Sequence, residues 1–223
     1  MECSNVTFEQ IKNSPEIQTY IKMEDQSLKA LGFTEHAFAH VTRTAENAGN
    51  ILKEMGYSER EQELGKIAGY IHDIGNIVNR IDHAQSGAVM AFRILDKMGM
   101  TPEEISIIIS AIGNHDEGTA APVNAIAAAL ILADKSDVRR TRVRNRDLAS
   151  FDIHDRVNYA VTQSSLNFSD ESDNIILELT IDTDISPVMS YFEIFMDRML
   201  LCNKAAAYFH KSFGLVVNKQ RLL

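Results

Sequence analysis

The chain reads as a mainly α-helical bundle followed by a small C-terminal α+β segment. Apolar residues recur at helical spacing through the first two thirds, helix-start signatures punctuate that stretch, and strand-like runs follow residue 150. The expected division is residues 1–150 for the helical domain and 151–223 for an α+β appendage packed on it as a cap. Residues 7–31 alternate apolar and charged positions as one helix ending at Gly32. Thr34 is placed to cap a second helix that closes at Gly56. Ser58 and Glu61 have capping-box spacing and open a third, and Thr101-Pro102-Glu103-Glu104 repeats the signature further on. Between them, His83 begins a helix that Gly99 terminates. Residues 121–137 form another helix, almost wholly apolar until Asp134, which must run through the middle of the bundle. Residues 157–162 and 175–181 read as strands joined by a turn-rich segment over 167–174. Ser186-Pro187 opens a long amphipathic helix to Phe213, and residues 214–217 suit a last short strand.

Bulk properties narrow the function. At 223 residues the chain can bury one sizeable core, or a main domain with a modest appendage. A formal charge of -9 argues against nonspecific binding to a nucleic acid polymer, which leans on basic surface. Cys3 and Cys202 are too few and too far apart for a disulfide framework, so a reducing cytoplasm is the expected setting. The N-terminus lacks a basic segment followed by an apolar core, and residues 125–133 fall well short of a membrane span of ~20 residues. No membrane association is expected.

The most informative residues are His72 and Asp73 in Tyr70-Ile71-His72-Asp73-Ile74-Gly75. An imidazole nitrogen and a carboxylate together suit divalent transition metals, and a carboxylate can bridge two of them. Further candidates lie along the chain: His40 upstream, and His83, His115 and Asp134 downstream. A carboxylate after the apolar run ending in Ala133 is costly to bury unless paired or bound to metal, although Lys135 could partner it at an exposed helix end.

This order, His, His-Asp, His, His, Asp, resembles the HD-domain superfamily of metal-dependent phosphohydrolases over roughly residues 34–146. The local details are similar too: Arg43 three residues after His40, His72-Asp73-Ile74-Gly75, and Ala133-Asp134-Lys135. The resemblance implies a mononuclear minimum of His40, His72, Asp73 and Asp134, with His83 and His115 matching the extra histidines of dinuclear members. It implies His40 and His72 on one metal, His83 and His115 on the other, Asp73 as the bridging and catalytic ligand, and Asp134 completing the site. All six are expected on helices. Iron or manganese is favoured by the resemblance, while nickel, cobalt and zinc suit the same ligands and magnesium, which prefers oxygen, does not. Two departures stand out. Asn76 replaces the Lys or Arg that many members carry after His-Asp-Ile-Gly. His115-Asp116-Glu117 stands where one branch has His-His-Glu, which weakens a cyclic-dinucleotide phosphodiesterase reading.

Several residues keep two readings. His36 lies one turn before His40 and competes with it; the flanks Val41 and Arg43 favour His40 as ligand, leaving His36 at the cleft edge. Asp82 could orient an imidazole or merely cap the helix of His83. His154 and His210 read as structural or surface residues. The run Arg139-Arg140-Thr141-Arg142-Val143-Arg144-Asn145-Arg146 could send Arg139 or Arg140 toward the cleft to grip phosphate, or form a solvated face paired with Asp137 and Asp147. Arg80 and Asn76 are further substrate-binding candidates.

The resulting expectation is an enzyme that hydrolyses a phosphate ester or anhydride of a small, nucleotide-like substrate with a hydroxide shared by two metals. Two rivals use the same residues. A di-iron oxygenase of the HD fold would consume dioxygen. A sensing or partner-binding module would bind metal without turnover, although structural sites are usually closed cages of four ligands. The C-terminal appendage could gate the cleft, select substrate or form a homodimer surface.

Overall fold

A computed structural model describes residues 6–118, 120–169 and 174–223. The middle of the expected turn, residues 170–173, lies outside the described residues, as do Cys3 and the rest of the N-terminal segment to Asn5. Residues Met1–Asp134 form one compact unit and Lys135–Leu223 a second. The fold is mainly α, with a helical first unit and a small sheet in the C-terminal unit.

Capping chemistry sets most helix boundaries in the first unit. The expected single helix over 7–31 is two: α1 (Phe8–Lys12) and α2 (Pro15–Ala30). Ser14 accepts the Ile17 N–H and Pro15 has no N–H to continue the preceding helix, so the chain restarts there. α3 (Phe38–Glu54) begins later than Thr34 suggests, because residues 34–36 are held otherwise: the His36 N–H donates to Asp25 Oδ1 at 3.1 Å, and its Nδ1 to the Thr34 carbonyl at 2.8 Å. α4 (Glu59–Ile71) opens with both halves of the Ser58/Glu61 capping box. α5 (His83–Lys97) is followed by Gly99 at φ +84°, and α6 (Pro102–Gly113) is capped by Thr101. Glu104 does not complete a box; it pairs with Arg60 at 2.7 Å. α7 (Ala125–Lys135) starts four residues after the expected position, where Asn124 Oδ1 accepts the Ala127 N–H at 2.7 Å.

Close packing brings these helices to one place. α3 lies against α4, where a Cβ on Gly69 would come within 2.8 Å of Ala45 Cα. α5 packs on α6, and both α2 and α5 pack on a 3-10 turn, Ile74–Ile77, which follows His72-Asp73 directly. Gly75 is required there: a Cβ would collide with the His83 carbonyl and the Gly87 nitrogen. Each residue of α7 from Ile126 to Ala133 is buried.

The second unit carries α8 (Ile153–Ala160), β1 (Val161–Ser169), β2 (Asn174–Ile181), α9 (Val188–Tyr208), β3 (Ser212–Val217) and β4 (Gln220–Arg221). Residues 157–160, expected in a strand, are helical because Asp152 accepts the Asp155 N–H and nucleates α8; the strand starts at Val161. The sheet order is β1-β2-β3-β4, antiparallel except for the parallel β2–β3 pair that α9 connects. α9 buries Tyr191, Phe195, Met199, Cys202 and Ala206, a stripe at helical spacing.

Candidate metal centre

The structure gathers His40, His72, Asp73, His83, His115 and Asp134 within the first unit. Only some of them sit on helices. His40 is in the first turn of α3, His83 is the first residue of α5, and Asp134 is near the end of α7. His72 is the C-cap of α4, Asp73 lies between α4 and the 3-10 turn, and His115 follows α6. The expectation that all six come from helices is therefore corrected. Helix ends serve because the chain must converge from several directions, and a capping or loop residue can leave the helical path to aim its side chain.

Asp73 sits at the centre of the cluster with a different pair of histidines at each oxygen. Oδ2 lies 3.1 Å from His72 Nε2 and 3.5 Å from His40 Nε2. Oδ1 lies 3.4 Å from His83 Nε2 and 3.8 Å from His115 Nε2. Asp134 Oδ1 joins the first pair, 3.4 Å from His40 Nε2 and 3.7 Å from His72 Nε2. His83 and His115 Nε2 atoms are 3.3 Å apart, and Asp116 Oδ1 lies 3.9 Å from His83. Ligating atoms of His40, His72 and Asp134, and those of His72, Asp73 and His115, fall within 4.8 Å of one another.

The imidazoles are oriented by the backbone. Nδ1 of His72, His83 and His115 meets the carbonyls of Gly69 (2.9 Å), Arg80 (3.0 Å) and Ile112 (2.6 Å). A carbonyl only accepts, so Nδ1 carries the hydrogen and, in the neutral ring, Nε2 presents its lone pair to the centre. Asp82 plays neither role expected of it. The Arg80 carbonyl holds His83, and the Asp82 side chain makes no capping bond; its backbone turns through φ +58°, a conformation Asp tolerates, to start α5. His36 packs edge-to-face on His40 with centroids 5.4 Å apart.

These residues fit divalent cations. His72 Nε2 is fully buried and has no partner of hydrogen-bond geometry, although two carboxylates lie close. Burial alone would lower the His72 pKa, but Asp73 and Asp134 outweigh it and raise it to about 10. Burial would raise that of Asp73, yet the His72 charge and the adjacent His115 and His40 imidazoles hold it well below the ordinary carboxylate range. The pocket thus favours positive charge at its centre, a need that a metal ion meets with better geometry than a proton.

Of the substrate-binding candidates, Asn76 and Arg80 adjoin the cluster. Asn76 Nδ2 donates to the Asp73 carbonyl at 2.8 Å and to Asp73 Oδ1 at 3.1 Å, while its Oδ1 accepts from Arg80 at 3.1 Å. Arg80 lies over the Phe33 ring and 3.5 Å from His83 Nε2. Arg139 and Arg140 belong to the second unit. The arginine run is not a continuation of α7, which ends at Lys135; it contains only a short 3-10 turn, Arg140–Arg142. Arg139 Nε donates to Asp137 at 2.7 Å, and Arg140 Nε donates to the Tyr159 carbonyl at 2.6 Å while stacking on that ring. His154 and His210 are exposed.

One residue escaped the motif reading. Glu24 shares the buried stripe of α2 with Ile17, Ile21 and Leu28, and it is 0% exposed. The signal was present: a Glu where the spacing calls for an apolar side chain.

The HD domain family model matches residues 37–157, more than half of the chain. The chain belongs to the HD-domain family. It is 27% identical over 162 residues to an uncharacterized protein of Methanocaldococcus jannaschii, covering 61% of this chain and 60% of that protein. Among solved structures it is similar to a predicted HD superfamily hydrolase from an uncultured Thermotogales bacterium, at 25% identity and TM-score 0.44, over 59% of this chain and 73% of the other. Among the described residues no helix is long and apolar enough to cross a membrane.

Proposed function

We propose that the chain is a metal-dependent phosphohydrolase acting on an ester or anhydride of a small, nucleotide-like phosphate. The observation that carries this reading is Asp73, whose two oxygens each face a separate pair of histidines, 3.1–3.8 Å away. Iron or manganese suits the mixed imidazole and carboxylate set. When bound, a pair of divalent ions lowers the pKa of water toward about 7 and offsets charge on phosphoryl oxygens.

The protein groups divide the remaining work. Asp73 would hold one ion at each of its oxygens, and the Asn76 Nδ2 donor at 3.1 Å steadies its Oδ1. Three backbone carbonyls hold the imidazole tautomers. Arg80, at the margin of the cluster, provides a fixed cation for a phosphate oxygen. In the reaction a water oxygen bonds to phosphorus, the phosphorus–oxygen bond to the leaving group breaks, and the water's proton ends on the departing oxygen.

The test is phosphate release from a panel of nucleotides and phosphate esters, by protein loaded with manganese or iron and kept free of oxygen. Anaerobic release supports hydrolysis. Turnover that strictly consumes dioxygen would replace this reading with the di-iron oxygenase, and tight metal binding with no turnover across the panel would replace it with a binding module.

A further inference from the structure

Glu24 presents a carboxylate that the six residues of the centre leave unexplained. It lies in the middle of α2, on the face that packs against the 3-10 turn following His72-Asp73. Both of its oxygens are fully buried, and neither has a hydrogen-bond partner. The charged groups near enough to act on it are Asp73, His72, Asp25 and Arg80, two of them members of the cluster. Burial pushes it well above the ordinary carboxylate range, and Asp73 pushes it further.

Such a group is expensive to keep. A buried carboxyl without a partner forfeits the hydrogen bonds that water would give it, and the cost is greater still when it is charged. Its neighbours on the stripe are Ile17, Ile21 and Leu28, so a Leu at this position would complete an apolar face. Retaining a carboxyl there has a physical reason if its partner is something the centre binds.

We infer that Glu24 is a positioning residue of the centre, whose carboxyl hydrogen-bonds a solvent molecule or oxygen ligand held by the six-residue cluster without itself ligating a cation. This rests on the reading of that cluster as a metal centre. It assigns α2, which packs on the 3-10 turn that carries Asn76, a part in the site. Polar atoms that are orphaned in the protein alone would then be satisfied in the loaded state, and the stability lost at this position would be the counterpart of a function.

The experiment uses cobalt(II) as probe. Wild type, Glu24→Gln and Glu24→Leu are loaded with cobalt(II), metal content is measured, and the visible spectrum is followed against pH. The expected result has three parts: unchanged metal content in both variants, a spectral midpoint moved by about one pH unit in Glu24→Gln (a tenfold change in the underlying equilibrium), and a higher Tm for Glu24→Leu without metal. Spectra and midpoints superimposable on wild type would overturn the inference, leaving Glu24 a structural residue. Loss of a metal equivalent in Glu24→Gln would also overturn it, because Glu24 would then be a ligand. Glu24→Leu supplies the same readouts if Glu24→Gln does not fold. None of these measurements requires turnover, so a spectrum that responds to Glu24 in a protein that cleaves no phosphate ester would refute the phosphohydrolase reading alone.

Discussion

Buried charge is arranged differently in the two units. In the second, the Asp137 carboxylate accepts from Arg139 at 2.7 Å and has the Arg142 guanidinium 3.7 Å away, so a buried acid is met by neighbouring guanidiniums. In the first, the buried acid Asp73 is surrounded by imidazoles, and His72 Nε2 and both Glu24 oxygens lack hydrogen-bond partners. Among the described residues, the groups shown against the Asp73 carboxylate are four imidazoles and the Asn76 amide. The comparison teaches where to look for function: a paired buried charge can be purely structural, whereas a cluster of ligating atoms with orphaned members calls for an outside cation.

Replacing Asp73 tests that contrast most severely. Asp73→Ala removes the group shared by both histidine pairs and is expected to abolish metal loading and activity together, as read by elemental analysis and turnover. Full metal occupancy in this variant would show that Asp73 is not the bridge. Asn76→Ala is next. It frees the Asp73 carboxylate to rotate and is expected to weaken metal affinity by roughly 10- to 100-fold, measured by competition with a chelating dye. Unchanged affinity would assign Asn76 to substrate alone.

Arg80→Ala is expected to leave metal content intact and raise KM by about tenfold, the loss of one charge-assisted contact. Arg140→Ala is expected to lower Tm through loss of its bond to the Tyr159 carbonyl. An unchanged Tm would contradict that role.

The metal-free first unit should also respond to pH in a definite direction. The His72 pKa is raised from 6.5 to about 10 on folding, so its contribution is complete below 6.5 and is lost as pH rises through about 10. Asp73 is depressed below 3.8, so its contribution is present above 3.8 and is lost only as pH falls further. Chelated protein should therefore lose Tm steadily between pH 6.5 and about 10. Manganese-loaded protein should not show this decline, because its His72 carries no second proton. A flat or rising Tm in the chelated protein would contradict the charge assignment. The smallest effect is Ser58→Ala, expected to cost about 1 kcal/mol by loss of a helix cap, with metal content unaltered.

Much of this architecture could be read from the residues in advance, and the failures have physical causes. Ser58, Thr101 and Gly99 mark their helix boundaries because capping is local chemistry. The break at Ser14-Pro15 was equally local but was hidden by apolar spacing that continues on both sides of it. Residues 157–160 have strand-like composition, yet the Asp152 cap decides for helix. The identities at the centre could be listed from the motif order, but its geometry could not. Which histidines face which oxygen of Asp73 depends on helix ends meeting in space, and on the contact at Gly75 that lets α5 approach the 3-10 turn. Glu24 has no motif, and its significance emerges only once burial and missing partners are known.

The central claim, that Asp73 is shared between two cations, is tested most directly by anomalous scattering from crystals soaked in manganese. The account predicts two peaks roughly 3.5–4 Å apart, one beside His40, His72 and Asp134 and the other beside His83 and His115, with an Asp73 oxygen against each. A single peak, or two peaks of which only one touches Asp73, would contradict it.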